Sequence, residues 1–475
     1  MKKRIVALFL CAALLLPCMA MSAQPASDNL NDDSVARRLT AVVYCLTGDM
    51  YRLVPDVRTV DILVGETPLE VLAGEVLRVP QNDQLTSAMS DRVRLHLLSV
   101  VQTGSVATVD IGGEAEMLEP YEIFCLKAAM VNTLVETGLV EYVNVLFEGR
   151  EVPTNDLPTG TMTRFDEDLQ SAWIEHENEG VAALRTSEYT FKRNVTLYFA
   201  SMDSDLLLAE VRQITFTRSS LALPVIDALI TGPLYDTTLR RSYPSAATVL
   251  GIPYMQAEDQ YTNFWEIDFS YEMGKAFIDQ EQRRMQFAPL VMTLTTFLPQ
   301  TDAIRIRVNH RPIEGLAGAE LQERLLYRAQ FSGMLGRTVE LYYPMEGGRQ
   351  IKLTRAVLQK ENTLRDLLCQ LMIVPEGVTS VFPEGFTAEH LRGVTHVDDI
   401  AVVNLTQQGA ELLRGLSADE ERACVFCIVN TLTASSGVSR VQFLVEGYKV
   451  DQLGGAVSLR SPLVRNPGII RTTMD

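Results

Sequence analysis

Cysteine, histidine, positive charge and long apolar runs are what this 475-residue chain has little of. Seven cysteines without a repeating interval exclude a disulfide-stapled secreted scaffold, so a hydrophobic core must hold the fold. No Gly-Lys-Ser/Thr phosphate loop, nucleophile-elbow serine or His-Glu-x-x-His helix occurs. That removes the commonest signatures of nucleotide, acyl-transfer and zinc chemistry, though not catalysis by scattered residues. Against 60 Asp and Glu stand only 42 Lys and Arg, a net charge of −18. Such a surface is repelled by nucleic acid and anionic lipid, both polyanions. The longest apolar run, Ile5 to Leu16, has 12 residues. A helical membrane anchor needs roughly 20.

Behind the basic Met1-Lys2-Lys3-Arg4, that run has the layout of a secretory signal peptide, assigned to residues 1–23. Two endings compete. Cys18 stands where a bacterial lipoprotein is cleaved and acylated, although Pro17 is a poor residue just before a cut. Cleavage near Ala20 to Ala23 would release a soluble chain instead. Export is expected either way, to the outer face of the cytoplasmic membrane or the cell-wall space, with any membrane contact made through the N-terminal lipid. Removing the first 17 residues takes the net charge to −21.

What is present is present three times. A strand-forming segment opens each copy at Ala41 to Tyr44, Val195 to Tyr198 and Val339 to Tyr342. A helix patterned at three- and four-residue steps follows and is expected to stop at Pro80, Pro233 and Pro375. A second helix carries Val-x-Thr-Leu as Val131/Thr133/Leu134, Val291/Thr293/Leu294 and Val429/Thr431/Leu432. Alternating apolar runs close the copies at Val143 to Phe147, Ile304 to Val308 and Val441 to Val445. From the Tyr to the Pro is 36, 35 and 33 residues, and from that Pro to the Thr is 53, 60 and 56. A repeat of this length is a whole domain rather than a solenoid unit.

The expected fold class is therefore α+β: three tandem copies of a small mixed-sheet module with two helices packed on the sheet. The modules are placed at 39–153, 191–314 and 337–451. Between them lie an acidic linker at 154–190, holding one short helix, and a helical linker at 315–336. A flexible tail is expected at 452–475, and the Asp- and Asn-rich stretch from Ala26 to Arg38 reads as a tether. Each closing strand runs into a two-residue turn, Glu148-Gly149, Asn309-His310 and Glu446-Gly447. With His310 where the others have glycine, the middle turn either keeps the type, with Asn309 in the left-handed region, or differs in type.

Candidate chemistry competes with structural explanations at every position. Cys424-Val425-Phe426-Cys427 has redox-motif spacing, but it lies one turn before Val429 and Leu432 on the helix face expected to be buried. His390, His396, Asp398 and Asp399 have the side chains of a divalent-cation site, yet in a polar loop solvation is the expected role. Asp110, Asp268 and Asn404 recur. Asn cannot act as a general base, so capping of a following turn is the expected role. The recurring threonines are expected to bond back to the preceding helical turn or to pack against the sheet. Trp265, Tyr261 and Phe264 cluster either as strand packing or as a partner or glycan surface.

The middle copy resembles the GerM (GerMN) domain family. The residues that carry the resemblance are Val195 to Phe199, Leu229-Ile230-Thr231-Gly232-Pro233, Tyr243-Pro244, Ile267-Asp268-Phe269-Ser270, Val291 to Thr295 including Thr293 and Leu294, and Ile304 to Val308. The outer copies keep the same order but have Val79-Pro80 and Val374-Pro375 in place of Gly-Pro. The resemblance implies a non-enzymatic sporulation or spore-germination protein of the cell envelope, tethered as a lipoprotein, scaffolding an assembly through its domain surfaces. It implies no cofactor, catalytic group or metal. The partners it implies are envelope proteins, with a sporulation complex among them; peptidoglycan contact and self-association are further expectations. A peptidoglycan-acting enzyme and a carbohydrate-binding array stay open as alternatives.

Overall fold

The computed structural model describes residues 35–471 except 64–65, 81, 88–92, 187, 258–260, 278–282, 314–324, 359–362, 398 and 436. The expected signal segment, Cys18, Asp398 and residues 315–324 of the expected helical linker lie outside the described residues.

Each module opens with a long antiparallel hairpin: Val35–Thr47 with Leu53–Leu63, Thr190–Ser201 with Leu207–Thr217, and Gly336–Met345 with Arg349–Leu358. A short helix follows at Pro68–Val76, Ala222–Thr231 and Leu364–Leu371. In the outer modules Thr67 and Thr363 cap it, each in a capping box with the acid three residues on. Next comes a second, mixed sheet. Its central strand is Val106–Gly113, Asn263–Phe269 or Ile400–Leu405, and this pairs antiparallel with the strand before it. It pairs in parallel with the closing strand, Tyr142–Phe147, Ala303–Val308 or Arg440–Val445. Parallel neighbours need a crossover, and here it includes the long helix Pro120–Glu136, Arg283–Phe297 or Ala418–Leu432.

Each module has its own hydrophobic core, built from hairpin, both helices and mixed sheet. The α+β class and the tripled module stand as read from the sequence. The strands divide between two sheets per module rather than joining in one.

Proline is not what ends the first helix in the outer modules. Those helices finish at Val76 and Leu371, before Pro80 and Pro375 are reached. Only in the middle module does the break sit at the motif itself: Gly232 takes φ +86° at the C-cap and Pro233 follows. The three closing turns share one geometry. Both central residues have positive φ in every case, at +50° and +65° for Asn309 and His310. Of the two alternatives the middle turn takes the first: Asn309 is left-handed and the turn keeps the type of the other two.

Where they are described, the segments read as connectors pair with or pack on the modules. After each closing turn the chain comes back along the closing strand: Met162 pairs with Val143, Leu326 with Ile304, and Leu463 with Val441. Residues 169–185 form a 17-residue helix in place of the expected solvated stretch with one short helix. Trp173 on that helix packs against Tyr121 and Phe124 of the first module. Where residues 315–336 are described they form the strand Leu326–Tyr327 and two single 3-10 turns, so the expected helix is absent there. The expected flexible tail is docked as far as Arg471: Ile470–Arg471 adds a strand to the third hairpin sheet, and Glu421 accepts from the Gly454 and Ala456 N–H groups. At the other end the opening strand already runs from Val35, inside the expected tether.

Candidate functional site

The polar positions that recur in all three modules are spent on main chain. Thr133, Thr293 and Thr431 are fully buried and accept from the backbone N–H of Tyr44, Tyr198 and Tyr342 at 2.9, 3.0 and 3.2 Å. An N–H so engaged is one the hairpin ladder does not use, and leaving it unpaired in the core would be costly. The helical back-bond expected of these threonines is made instead by Thr295, Thr296 and Thr433. Asp110, Asp268 and Asn404 accept from Gly149, His310 and Gly447 N–H at 2.8, 3.0 and 2.9 Å. The turn they hold follows the neighbouring closing strand, not their own. Burial pushes the Asp110 carboxyl up from its ordinary value, opposed by the Gly149 hydrogen bond.

The middle module adds a side-chain contact to this frame. His310 Nδ1 lies 2.5 Å from Asp268 Oδ2, so one carboxylate holds both the main chain and the ring of a residue at positive φ. Phe269 and Leu294 are core residues. Ser270 Oγ accepts from Thr248 N–H at 3.2 Å. Tyr243, next to Pro244, is buried and donates its hydroxyl to Gln286 O at 2.6 Å.

Reactive side chains among the described residues are not gathered into a site. Cys424 and Cys427 are unpaired and buried, and burial pushes their thiols up, Cys424 to about 12. His390 Nδ1 accepts from Thr387 N–H, His396 Nε2 faces Gly437 O at 3.1 Å, and Asp399 pairs with Arg440. Among the described residues no three His, Cys, Asp or Glu side chains are grouped as metal ligands. The aromatic cluster divides: Phe264 is buried under the Arg305 guanidinium, Trp265 packs on Tyr254 and donates to Thr301, and Tyr261 is 83% exposed.

Two sets of arginines recur that sequence reading missed. Arg58, Arg212 and Arg355 occupy one register position, opposite Ala41, Val195 and Val339. Each donates to carbonyls at the C-terminus of the first helix: Glu75 O, Ala228 O and Gly232 O, and Gln370 O and Ile373 O. A cation there satisfies orphan carbonyls and complements the helix dipole. Arg164, Arg328 and Arg465 come two residues after the return pairing. Arg164 and Arg465 bond the Tyr44 and Tyr342 hydroxyls, and Arg328 bonds Thr296. Aligning the copies by strand register would have found the first set. The second follows loops of unequal length, where spacing carries no signal.

The middle module's own tyrosine is used elsewhere, in a polar seam between the first two modules. Asn144 Nδ2 on the first mixed sheet donates to Thr196 Oγ1 on the second module's opening strand at 3.0 Å. Thr108 and Tyr198 hydroxyls lie 3.5 Å apart, and Thr161 and Thr196 hydroxyls 2.8 Å apart. All five residues are buried. Beside the seam Lys127, almost without exposure, donates to Glu151, Val152 O and Thr159. Burial pulls the Lys127 ammonium below its ordinary value, with Glu151 opposing. The seam, then, can join one module's sheet face to the next module's opening strand.

Among the described residues no helix is long and apolar enough to cross a membrane. No curated protein matches the chain. Solved structures do. The tandem GerMN domains of the sporulation protein GerM from Bacillus subtilis match at 17% identity, over 57% of this chain and 98% of that one, with a TM-score of 0.24. A putative lipoprotein from Clostridium perfringens matches at 23% identity, over 27% of this chain and 87% of that one, with a TM-score of 0.20. The first GerMN domain of the Bacillus subtilis protein matches at 20% identity, over 29% of this chain and 98% of that one, with a TM-score of 0.23. The family model described as "Germane: Sporulation and spore germination" matches residues 30–153, 196–314 and 340–451, most of the chain. The chain belongs to the Germane family of sporulation and spore germination, which it matches in three successive segments.

Proposed function

We propose that the protein is a non-enzymatic, exported assembly component of the bacterial cell envelope, serving sporulation or germination through module surfaces that dock on other proteins. The observation that carries this reading is the fate of the recurrent polar side chains. Thr133, Thr293 and Thr431, the Asx residues and Arg58, Arg212 and Arg355 all close main-chain hydrogen bonds inside their own modules. Repetition has kept a frame and let the faces vary, as suits a unit that presents contact surfaces. Gly232, Pro233, Pro244, Asp268, Phe269, Ser270, Thr293 and Leu294 are accordingly structural residues.

The family description supports the link to sporulation. Cys18, placed just behind the apolar run from Ile5 to Leu16, supports a lipid anchor at that residue. The acidic charge supports an extracytoplasmic, aqueous setting away from nucleic acid. A tagged chain in sporulating cells should localise to the envelope around the forespore and crosslink to envelope proteins, and Cys18→Ala should abolish palmitate labelling. Release of soluble peptidoglycan fragments by the purified chain, abolished by Asp268→Asn, would overturn the reading.

A further inference from the structure

The seam between the first two modules has a counterpart with neither half joined to the other. Strand register gives the equivalences. Thr108 and Asn144 pair across the first mixed sheet two residues before the recurring Asx position; Glu266 and Arg305 pair at the same place in the second. Thr196 precedes the recurring tyrosine of the second opening strand by two residues, and Glu340 does so in the third. Laying the second sheet on the third hairpin, as the first sheet lies on the second hairpin, puts Arg305 where Asn144 is and Glu340 where Thr196 is. It also puts Glu266, in place of Thr108, opposite the Tyr342 hydroxyl. That hydroxyl donates to Glu340 Oε2 at 2.8 Å, accepts from Arg465, and sits on a strand whose partner at that position is Lys352. An amide–hydroxyl seam becomes a charge-matched one, with both signs in the correct places.

Both halves are accessible. The Arg305 and Arg307 side chains are 29% and 33% exposed and pair with Glu266, which is 13% exposed. Those of Glu340, Lys352 and Arg465 are 40%, 33% and 34% exposed and likewise pair with one another, so docking exchanges partners rather than supplying them. Met255, opposite Phe264 in register, adds apolar surface beside Arg305 and is 38% exposed. The two halves do not meet within one chain. Leu335 bridges Leu207 and Gly336 packs on Leu206, which fixes the start of the third opening strand against the second module's hairpin, and that strand also packs on Leu95–Thr103 of the first module.

We infer that the Glu266–Arg305–Arg307 face of the middle module docks the Glu340–Lys352 hairpin of a second copy of this chain, in the mode that joins modules one and two. The contact is heterologous: each copy offers one face and one hairpin, so association proceeds head to tail into open chains or closed rings. This deepens the assembly reading by naming a partner, and it rests on that reading only for its biological purpose.

Sedimentation velocity of the full chain tests it. Wild type should associate progressively with concentration and dissociate as salt rises, because the pairs are only half-buried. Arg305→Glu and Glu340→Lys should each weaken association at least about tenfold, roughly the loss of one charge-assisted contact. Their equimolar mixture should recover dimers, because each variant keeps the half the other has lost. Recovery would also show that both variants fold. If Glu340→Lys melts early, Lys352→Glu on the same hairpin replaces it and should weaken association likewise. A wild type that stays monomeric to about 100 µM, where a contact of ~10 µM Kd would show, overturns the inference. So do single variants that associate like wild type, or well-folded variants that fail to recover on mixing. A monomer that still crosslinks to envelope proteins sinks self-docking and leaves the assembly reading standing.

Discussion

Replacing Thr293 with valine tests the frame most directly. The side chain is fully buried, and its hydroxyl accepts from Tyr198 N–H at 3.0 Å across the junction of long helix and opening strand. Valine has nearly the same shape, so the change leaves no cavity and instead strands a buried backbone donor. An unsatisfied buried donor costs about 1–3 kcal/mol. Serine keeps the oxygen and loses one methyl, worth about 0.8 kcal/mol. The expected order of stability is therefore threonine, then serine, then valine. Three modules need not unfold as one, so a single melting temperature is a poor readout. Hydrogen exchange at the Tyr198 amide is better, and there Thr293→Val should lower protection about tenfold for each 1.4 kcal/mol lost. Thr133→Val and Thr431→Val should do the same at Tyr44 and Tyr342. Unchanged protection at Tyr198, or a valine variant as stable as the serine one, would refute the claim that this bond holds helix to strand.

Asp110 gives a pH test. Its folded pKa is raised by burial, so its contribution is fully present when it is protonated and is lost as pH rises through the raised value. Asp110→Asn keeps an acceptor for Gly149 N–H, as Asn404 does for Gly447, and its stability relative to wild type should grow from acid toward neutral pH; a difference in first-module exchange protection that stays flat with pH would contradict this. Cys424 and Cys427 should resist iodoacetamide at pH 8 until the third module unfolds, with the partly exposed Cys369 modified first, as peptide mass mapping would show. Arg355→Ala should destabilise by about 1–2 kcal/mol through loss of hydrogen bonds from a charged group to helix carbonyls, with early exchange confined to residues 364–373. Lys127→Ala should cost about 3–5 kcal/mol by stranding Glu151, and adding Glu151→Leu should recover part of it, read by chemical denaturation.

What was legible in the sequence was whatever depends on local period and turn chemistry. Alternation marked the closing strands, three- and four-residue steps marked the helices, and Glu-Gly pairs marked turns that need positive φ. The recurrence of Thr and Asx was visible, but not what they bind, because Thr293 and Tyr198 are 95 residues apart and Asp268 and His310 are 42 apart. The return segments were read as linkers for a different reason. Residues 154–165 and 452–466 are rich in Gly, Pro and polar residues, which normally marks solvated chain. They are held by main-chain pairing and single side chains: Asn132 and Asn430 each hold the N–H of the residue beside the return arginine. An isolated Asn on an apolar helix announces nothing until the segment it binds has been placed.

The same limit explains why the seams escaped notice. A module needs its hairpin, helices and mixed sheet to close its own core, so those positions are constrained in all three copies and show up as a repeat. The outer sheet face is constrained only by what lies on it. Where a neighbouring module covers that face, as at Thr108 and Asn144, small uncharged polar groups can be buried in mutual hydrogen bonds without desolvating a charge. On the equivalent face of the middle module, Glu266, Arg305 and Arg307 keep part of their surface in water and pair with one another. If the middle face docks a second copy as inferred above, charge at these positions distinguishes a face covered within the chain from one that a partner covers reversibly. Exchanging the two sets tests this: Thr108→Glu with Asn144→Arg should force apart the first two modules, seen as loss of exchange protection at Thr161 and Thr196, because burying that pair in the seam desolvates both charges and their mutual attraction does not offset the cost. Retained protection would mean that the seam is wetter than its burial indicates and that the face chemistry carries no such distinction.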